Sequence, residues 1–459
     1  MSTSFNIGSL ALQGGAHCVA LDAQRRYSAD DLKLRVEALY QSLVQKDEHH
    51  VGVWLTNPWD FLCVFIALAL AGKRIVMPHN LQAGTADCLG QHFSALISDD
   101  PALALHSSYW QLEQLLAQTD NPADLGEQDI NEQVELVLFT SGTTSTPQPI
   151  AKTFADLHCE LAELQQVFAD AVAQHPVLAT VSHQHIYGLL HFLLWPLARR
   201  APIMLEAGHY PEVLAGQVAQ LAPVVLVSSP THLSRLPQTP VFCQQAEGLA
   251  AIFSSGGLLA ETDAQAMANI VGHAPWEILG STETGGVAYR RRSESSSWAA
   301  LPGVEVEPTA EGQLRVRSAH LGGLHEFVMG DKVEFLADGR FHLLGRADTI
   351  VKVEGKRLSL SEMEARLSEH PWVQESRAAV VRGRRDEVGM VVALSEAGLS
   401  ALHNEKKLFI NTTLKNHLST YFERPLLPRR WRYFTTLPRN NQGKVVAATI
   451  QQLLSEREH

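Results

Sequence analysis

Cysteine is scarce in this sequence of 459 residues, and none of its five cysteines forms a CxxC pair with another. A disulfide framework or a four-cysteine zinc site needs paired or regularly spaced cysteines, so this scatter argues against both. We therefore predict reduced thiols, mostly buried, in a cytoplasmic protein.

Long runs of positive charge and of apolar residues are also absent. The formal net charge is -12 at pH 7, whereas proteins that bind nucleic acids concentrate Lys and Arg on one face. The longest apolar run, Phe61 to Ala71, is shorter than the roughly 20 residues that a helix needs to cross a bilayer. The first residues lack the basic and apolar segments of a signal peptide. We expect no nucleic-acid partner, no membrane span and no signal peptide.

Strand-like and helix-like stretches alternate over the first two thirds of the chain. A helix is predicted at residues 57–72; it contains the apolar run and ends at Gly72. Strands are predicted at residues 50–56, 73–78, 135–141, 176–182, 201–206 and 223–229. Strands separated by helices in this way indicate parallel sheets with helices on their faces, and hence an α/β fold.

A small antiparallel subdomain is predicted at about residues 300–347, inside an N-terminal domain of residues 1–347. Its short strands alternate polar and apolar residues, and two of them flank Asp338-Gly339. That pair favours a hairpin with a type I′ turn, in which both residues have positive φ.

A separate α+β domain is predicted at residues 348–459. Ser361 and Glu364 have the spacing of a capping box, so a helix is expected to begin at Ser361. Residues 377–383 and 390–395 are predicted strands, and a helical tail follows Lys444.

Four polar segments contain residue types that suit nucleotide chemistry. FTSGTTSTPQP, residues 139–149, offers hydroxyls and closely spaced N–H groups to phosphate oxygens. GSTETGG, residues 280–286, contains Glu283, a carboxylate suited to Mg²⁺. The other two segments are residues 330–367 and 437–445. Taken singly, the first segment could equally be a polar turn, and it lacks the GK[ST] ending of a Walker loop. A Thr-Glu-Thr turn such as the second is more often an N-cap than a metal site, and the other two would be salt bridges, turns and surface lysines.

In this order and spacing, the four segments together resemble the adenylate-forming superfamily. That superfamily includes acyl-CoA and aryl-CoA synthetases, peptide-synthetase adenylation domains and luciferases, and the resemblance covers nearly the whole chain. It implies that the chain uses ATP and Mg²⁺ to convert a carboxylic acid into an acyl-adenylate and pyrophosphate. The acyl group would then pass to the thiol of coenzyme A or of the phosphopantetheine of an acyl carrier protein.

The resemblance also implies roles for single residues. Lys444 would be the catalytic lysine of a mobile C-terminal domain, Glu283 would bind Mg²⁺, and Thr282 would contact the α-phosphate. Asp348 would be the hinge of that domain, and Gly355 would serve thioester formation. The implied ATP-binding residues are Thr140, Ser141, Gly142, Thr143, Thr144, Gly256, Gly257, Ser281, Asp331 and Arg346.

The sequence departs from the family pattern in its phosphate loop. Ser145, Gln148 and Pro149 stand where the family has glycine, lysine and glycine, so the mobile lysine is missing. Lys152 is a candidate substitute for it. Leu279 stands where the family usually has an aromatic residue. These departures motivate a second hypothesis, a nucleotide-binding pseudoenzyme of the same fold without turnover.

Residues 180–197 are similar to the acyl-pocket helix of the family. The resemblance implies that His185, Tyr187, Gly188 and Gly280 line the pocket. Residues 177–198 contain no Asp or Glu, and a buried ammonium without a counter-charge is costly. An amino-acid substrate is therefore disfavoured, and an aryl or fatty acid is expected.

The sequence PQPIAKT after the phosphate loop resembles that of ligases from aryl-polyene and related polyketide clusters. This narrower resemblance implies an aromatic acid that is loaded onto an acyl carrier protein. His183 and His185 have a spacing found in zinc sites, but no further ligand follows at a suitable distance, so a structural or pocket role is the preferred interpretation.

Overall fold

The computed structural model describes residues 6–78, 91–100, 108–117, 122, 124–140, 148–206, 208–346, 350–353, 356–382, 386–422, 424–440 and 445–456. Its strands, numbered in chain order, are Cys18–Leu21 (β1), Arg26–Ser28 (β2), His50–Trp54 (β3), Arg74–Met77 (β4), Ala95–Ser98 (β5), Tyr109–Trp110 (β6), Glu135–Thr140 (β7), Gln148–Thr153 (β8), Val177–Ala179 (β9), Ile203–Met204 (β10), Val224–Ser228 (β11), Leu249–Ser254 (β12), Trp276–Ser281 (β13), Gly285–Arg291 (β14), Ala299–Ala300 (β15), Glu305–Pro308 (β16), Gln313–Arg317 (β17), Phe327–Phe335 (β18), Phe341–Arg346 (β19), Ile350–Val353 (β20), Lys356–Ser359 (β21), Val373–Val381 (β22), Glu387–Leu394 (β23) and Arg430–Phe434 (β24).

The helices cover both faces of the sheets and are mostly short. The α-helices are Ile7–Leu12, Ala29–Val44, Pro58–Leu70, Leu112–Leu116, Phe154–Val172, Ile186–Gly188, Trp195–Ala198, Pro211–Leu221, Pro230–Leu233, Pro240–Cys243, Glu261–Val271, Leu360–Ser368, Glu396–Asn404, Lys407–Leu418 and Ala447–Ser455. A π-helix spans Leu189–Leu194, and 3₁₀ turns span Leu236–Gln238, Ala246–Gly248 and Arg424–Leu426.

Two large sheets with parallel centres hold most of the first 300 residues. One has nine strands in the order β15-β14-β13-β12-β11-β9-β10-β1-β2, and the other has six in the order β6-β5-β3-β4-β7-β8. Their central strands are apolar runs; all five residues of β11, for example, are buried. Continuous apolar strands are typical of parallel sheets with helices on both faces. The expected α/β fold with parallel sheets and a smaller antiparallel sheet is confirmed.

The predicted helix in the long apolar run is Pro58–Leu70, and its start follows from local chemistry. Asn57 accepts a hydrogen bond from the N–H of Trp59 through its side chain, and Pro58 occupies the first turn, where a missing N–H is harmless. Nearly the whole helix is buried, as the apolar run predicts. Across the part of the chain that is described, no helix is long and apolar enough to span a bilayer.

The predicted hairpin between β18 and β19 is present, but its turn is not of type I′. Gly339 has φ +83°, whereas Asp338 is not among the residues with positive φ. The N–H of Gly339 donates to the carbonyl of Leu336, and the N–H of Leu336 donates to the carbonyl of Arg340. This is the three-residue loop with one left-handed residue, which also uses an Asp-Gly pair.

The elements after β19 have an apolar core of their own, which includes Met363, Met390 and Trp431. β22 and β23 are antiparallel, and β23 and β24 are parallel. The predicted helix begins at Leu360 rather than at Ser361. The carboxylate of Glu364 accepts a hydrogen bond from the N–H of Ala378 on β22, a long-range partner that the capping-box spacing could not indicate.

The described cysteines are free, and the expectation that most of them are buried is wrong. Cys63 is buried, but Cys18, Cys159 and Cys243 are half-buried.

Candidate active site

Four strands of the nine-stranded sheet end at one edge. β9, β11, β12 and β13 are neighbours and parallel to one another, so their carboxyl ends lie side by side. His185 follows β9, Gly256 follows β12 and Thr282 follows β13. In open parallel sheets, ligands bind in the crevice beyond this edge. The fold therefore brings the predicted acyl-pocket, adenine and phosphate segments together.

A tight turn between β13 and β14 holds Thr282 and Glu283 at this edge. The N–H of Ser281 donates to Oγ1 of Thr284 at 3.0 Å, and the N–H of Thr284 donates to Oγ of Ser281 at 3.2 Å. Thr284 is fully buried, while Thr282 and Glu283 are half-buried. The turn is thus anchored through Thr284 and leaves a hydroxyl and a carboxylate partly accessible.

Gly256 and Gly257 lie beside this turn. The hydroxyl of Ser255 donates to the carbonyl of Ile278 at 2.9 Å and so ties the glycine segment to β13. Both glycines are exposed, and a Cβ added to Gly256 would meet no atom within 4 Å. This open backbone surface has room for a flat ring.

Lys152, on β8 directly after the phosphate-loop segment, joins the six-stranded sheet to the turn. Its Nζ donates to the carbonyl of Glu283 at 2.9 Å and to the carbonyl of His320 at 2.6 Å. The residue is 1% exposed, and burial lowers the pKa of its ammonium. The hypothesis that Lys152 replaces the mobile lysine of the loop is therefore wrong, because burial and both hydrogen bonds fix it behind the turn.

Two further buried side chains hold the first residues of β14. Oε1 of Glu160 accepts a hydrogen bond from the N–H of Gly286 at 2.6 Å, and Nε2 of His320 lies 3.0 Å from the carbonyl oxygen of Gly286. Glu160 lies on the helix Phe154–Val172, and His320 follows β17. Together with Lys152, they hold the backbone of the Glu283 turn and of the first residues of β14.

Asp331 and Arg346 are opposite each other in the antiparallel four-stranded sheet, as Cα partners on β18 and β19. Asp331 is half-buried, and for Arg346 and Thr140 the structure describes the backbone. Thr140 ends β7 opposite Gln148 of β8. The predicted site residues that lie outside the described residues are Ser141, Gly142, Thr143, Thr144, Asp348, Gly355 and Lys444.

Aromatic rings surround the segment predicted to form the acyl pocket. The π-helix Leu189–Leu194 lies in it, and such turns are frequent at functional sites. The rings of Tyr187 and His191 are 4.6 Å apart, and Trp195 and Phe253 pack against His191. Burial raises the pKa of Tyr187 well above its usual value and lowers the pKa of His191 to about 3. Both side chains are therefore uncharged at neutral pH.

The polar atoms of this pair are buried and have at most loose partners. The backbone of Ser228 lies near the hydroxyl of Tyr187, and the backbone of Tyr187 lies near the ring of His191, but neither contact is a well-aligned hydrogen bond. His185 lies directly before the short helix that contains Tyr187. A buried polar group without a partner is costly, so a ligand group that completed these bonds would be favoured.

Close backbone packing requires glycine at two of the predicted pocket positions. A Cβ on Gly188 would lie 2.1 Å from the carbonyl oxygen of Ser182, and a Cβ on Gly280 would lie 2.2 Å from that of Gly285. These glycines fix the path of the chain around the pocket.

His183 has the structural role that the sequence favoured over zinc binding. Its Nε2 lies 2.9 Å from the carbonyl oxygen of Leu55, and its ring packs edge-on against Phe61. The contact ties the end of β9 to the six-stranded sheet.

Sequence reasoning did not single out Glu160, His191 or His320 for the site. Glu160 looks like an ordinary polar residue of an amphipathic helix, and His320 stands in a loop without a motif. His191 could have been recognised as a polar residue within the apolar stretch LLHFLLW.

Comparison with known proteins agrees with the fold. A family model described as AMP-binding enzyme matches residues 11–311. A 4-coumarate–CoA ligase from Cereibacter sphaeroides is 27% identical over 314 residues, which are 67% of this chain and 69% of that ligase. The matched region covers smaller shares of several other curated relatives. It covers 62% of a probable CoA ligase, CCL8, from Humulus lupulus and 2% of malpibaldin synthetase from Mortierella alpina.

Solved structures of adenylate-forming ligases resemble the chain over nearly its full length. ATP-bound MatB from Rhodopseudomonas palustris has a TM-score of 0.84 at 17% identity, covering 98% of this chain and 99% of that one. The anthranilate CoA ligase AuaEII in complex with anthranoyl-AMP has a TM-score of 0.81 at 17% identity, covering 99% of this chain and 98% of that one. The chain has the fold of adenylate-forming CoA ligases. With two thirds of its length matched by the family model, it belongs to the AMP-binding enzyme family.

Proposed function

We propose that this protein activates an aryl carboxylic acid with ATP and passes the acyl group to a phosphopantetheine thiol. The observation that carries this proposal is the sheet edge at which β9, β12 and β13 end, because the segments with Tyr187, Gly256 and Glu283 follow these strands. Adenylation joins a carboxylate to the α-phosphate of ATP, so the acid and the nucleotide must be held side by side. Membership of the AMP-binding family and the similarity to a 4-coumarate–CoA ligase support the same reaction.

On the nucleotide side, the adenine would lie against the open backbone of Gly256 and Gly257. The ribose hydroxyls would donate hydrogen bonds to Asp331, with Arg346 nearby. Residues 140–144 would bind the β- and γ-phosphates through backbone N–H groups and hydroxyls. Ser281 and Thr282 would contact the α-phosphate from the turn that Lys152 supports.

Glu283 fits the ion that phosphates usually carry. Mg²⁺ is commonly held by one or two carboxylates together with phosphate oxygens, and Glu283 offers a half-buried carboxylate on a rigid turn. When bound there, Mg²⁺ would neutralise phosphate charge. In this arrangement, the role of the protein is to hold the carboxylate of Glu283 in place before the nucleotide binds.

The residues beyond 347 would complete the two half-reactions. We place the domain boundary between residues 1–347 and 348–459. Lys444 would provide positive charge between the attacking carboxylate and the α-phosphate, where negative charge concentrates. A rotation at Asp348 would then withdraw Lys444 and present the segment around Gly355 for thioester formation.

The substrate class follows from the uncharged, aromatic surroundings of Tyr187 and His191. Aromatic rings pack favourably against other rings in edge-on or offset arrangements, and the buried hydroxyl and imidazole, which have no well-aligned hydrogen bonds, suit a hydroxyl or amino substituent on the substrate ring. A fatty acid would leave those polar atoms without partners. The similar 4-coumarate–CoA ligase is named for an aromatic acid, and the anthranilate CoA ligase AuaEII was solved in complex with anthranoyl-AMP. Both acids are aromatic, which supports an aryl acid as the substrate.

Coenzyme A and a holo-carrier protein present the same phosphopantetheine thiol, and both are anionic. Residues 348–459 contain 18 Lys and Arg against 13 Asp and Glu, although the whole chain has a net charge of -12. This basic C-terminal segment favours an anionic acceptor. The PQPIAKT resemblance favours the carrier protein, and the CoA-ligase relative favours coenzyme A.

ATP–pyrophosphate exchange over a panel of hydroxybenzoic, aminobenzoic, cinnamic and fatty acids tests the proposal. We expect exchange with aromatic acids and at least about tenfold less with fatty acids of similar size, as expected for a site whose polar groups need partners. Thioester formation with coenzyme A and with holo-carrier protein then identifies the acceptor. Exchange with no acid would refute the function and leave the pseudoenzyme hypothesis.

A further inference from the structure

Behind the Glu283 turn, three metal-ligating side chains meet in a buried cluster. Cys159 and Glu163 are four residues apart on the helix Phe154–Val172 and therefore share one face. His320 comes from the segment after β17. One ligand atom from each residue lies within 4.8 Å of the other two. Cysteine, histidine and carboxylate are the side chains that bind Zn²⁺.

The distances between these atoms suit a single ion. Sγ of Cys159 is 3.7 Å from Oε1 of Glu163, and Nδ1 of His320 is 3.4 Å from the same oxygen. With zinc bonds of about 2.0–2.3 Å in tetrahedral geometry, ligand atoms lie about 3.3–3.6 Å apart. The distance between Glu163 and His320 lies in this range, and the distance between Cys159 and Glu163 lies just above it.

Two polar atoms of the cluster lack the well-aligned hydrogen bonds that burial normally demands. Glu163 is 7% exposed and His320 is fully buried, yet Oε2 of Glu163 has no hydrogen-bond partner among the described residues, and Nδ1 of His320 has only loose contacts with Cys159 and with Oε1 of Glu163. Nε2 of His320, in contrast, is directed at the carbonyl oxygen of Gly286 at 3.0 Å. A metal-bound histidine usually has this arrangement, in which one ring nitrogen binds the ion and the other donates to a carbonyl or carboxylate.

The charge of the region is also compatible with a divalent cation. The carboxylates of Glu160 and Glu163 are both buried, and the ammonium of Lys152 faces Glu160, Asp156 and Glu283 rather than Glu163. Zn²⁺ bound by an ionised Cys159 thiol would leave one positive charge to offset the carboxylate of Glu163. We propose that Cys159, Glu163 and His320 bind one Zn²⁺ ion, with water in the fourth position, and that this ion ties the helix to β14 through the His320–Gly286 contact.

The alternative to a metal ion in this cluster is a proton on His320. Burial lowers the pKa of His320, but Cys159 and Glu163 raise it more, to about 10. An imidazolium that donates to a carboxylate normally forms a bond of about 2.7–2.9 Å, shorter than the 3.4 Å between Nδ1 and Glu163. The spacing therefore favours an ion between the groups.

The test is metal binding by the purified, tag-free full-length chain. After reconstitution with zinc and removal of loose metal by a weak chelator and gel filtration, we expect one zinc per chain by mass spectrometry. Substitution with Co²⁺ should give the visible bands of a tetrahedral site and a thiolate-to-cobalt charge-transfer band. Cys159→Ser should lose that band and bind zinc at least about tenfold more weakly. Cys243→Ser, at another half-buried cysteine, should behave as the wild type.

Wild-type protein that retains no zinc and gives no thiolate–cobalt band would overturn the proposal, and this result does not depend on the folding of any variant. Equal metal retention by the wild type and Cys159→Ser, without that band, would show adventitious binding and would overturn it too. Zinc binding is measured independently of acid activation, so failure of the proposed function would leave its result unaffected.

Discussion

Replacing Lys152 with methionine removes a support of the Glu283 turn without changing the side chains at the surface of that turn. The thioether chain fills a similar volume but cannot donate to the carbonyls of Glu283 and His320. It also removes the ammonium that partly offsets the buried Glu160 carboxylate. The substitution changes no side chain that we place on ATP or on the acid.

The expected loss of stability follows from the groups that lose their partner when the ammonium is removed. Hydrogen bonds to a charged group contribute about 1.5–3 kcal/mol each, and removal of one partner of a buried charge pair costs about 3–5 kcal/mol. We therefore expect Lys152→Met to lower the free energy of unfolding by about 3–5 kcal/mol. In the folded fraction, a displaced turn should slow adenylation about 10²-fold, since errors near 1 Å in a catalytic group have effects of this size.

Lys73 provides a matched control. It is also buried, at 3% exposure, and its Nζ also donates to two carbonyls, those of Lys46 and Glu48, at 2.7 and 3.0 Å. Lys73→Met should lower the urea midpoint as Lys152→Met does, but should leave the exchange rate per folded molecule close to that of the wild type. Equal exchange rates in the two variants, both measured well below their unfolding transitions, would refute a positioning role for Lys152.

Four further substitutions test the site and the fold. Glu283→Gln keeps the shape of the side chain but removes its charge, and exchange should fall about 10²- to 10³-fold; an unchanged rate at limiting Mg²⁺ would disprove metal binding there. Lys444→Ala should stop adenylate formation while still allowing thioester formation from supplied acyl-adenylate, and normal exchange would contradict its role. Asp348→Pro, which restricts φ, should slow the two half-reactions unequally; equal loss would count against a hinge. His191 has a folded-state pKa of about 3, below its unfolded value, so its neutral form stabilises the fold above that unfolded value and this contribution is lost as the pH falls. Between pH 7 and pH 5 the wild type should lose about 2 kcal/mol more than His191→Leu in urea unfolding, and equal losses would show that His191 titrates normally.

Local signals predicted much of the fold. Asn57, Pro58 and Gly72 bracket one continuous apolar run, so a helix could be placed there within two residues of its observed ends. The apolar strands β3, β7 and β11 were found because burial on both faces leaves an uninterrupted hydrophobic run. Strand order was not predictable in this way, because the pairing of β1 with β10 joins Ala20 to Ile203, far apart in the chain.

The turn prediction was wrong, and the capping-box spacing missed a long-range partner, because one pattern serves two geometries. An Asp-Gly pair fits a type I′ turn and also a three-residue loop with a single left-handed glycine, and the strands around Gly339 adopt the second. Glu364 has the spacing of a capping box, but its carboxylate contacts Ala378 on a neighbouring strand. In both cases the tertiary pairing of strands decides the outcome.

The site shows the same division between local and long-range information. Glu283 and Gly256 lie in recognisable segments whose chemistry depends on neighbours in the chain. Lys152 acts through contacts that span 131 and 168 positions of sequence, so its role emerges only when the two large sheets are packed together.

The position of Lys152 changes how the altered phosphate loop should be interpreted. The segment at residues 139–149 contains no lysine, and this absence suggested the pseudoenzyme hypothesis. Lys152 on β8 is the next lysine, and its ammonium donates to the backbone of the Glu283 turn. Under the proposed function, neutralisation of phosphate charge would then depend more on Mg²⁺ at Glu283 and on Lys444. A turn held this firmly, with its carboxylate still partly accessible, is more consistent with an enzyme that distributes its positive charge differently than with one that has lost turnover.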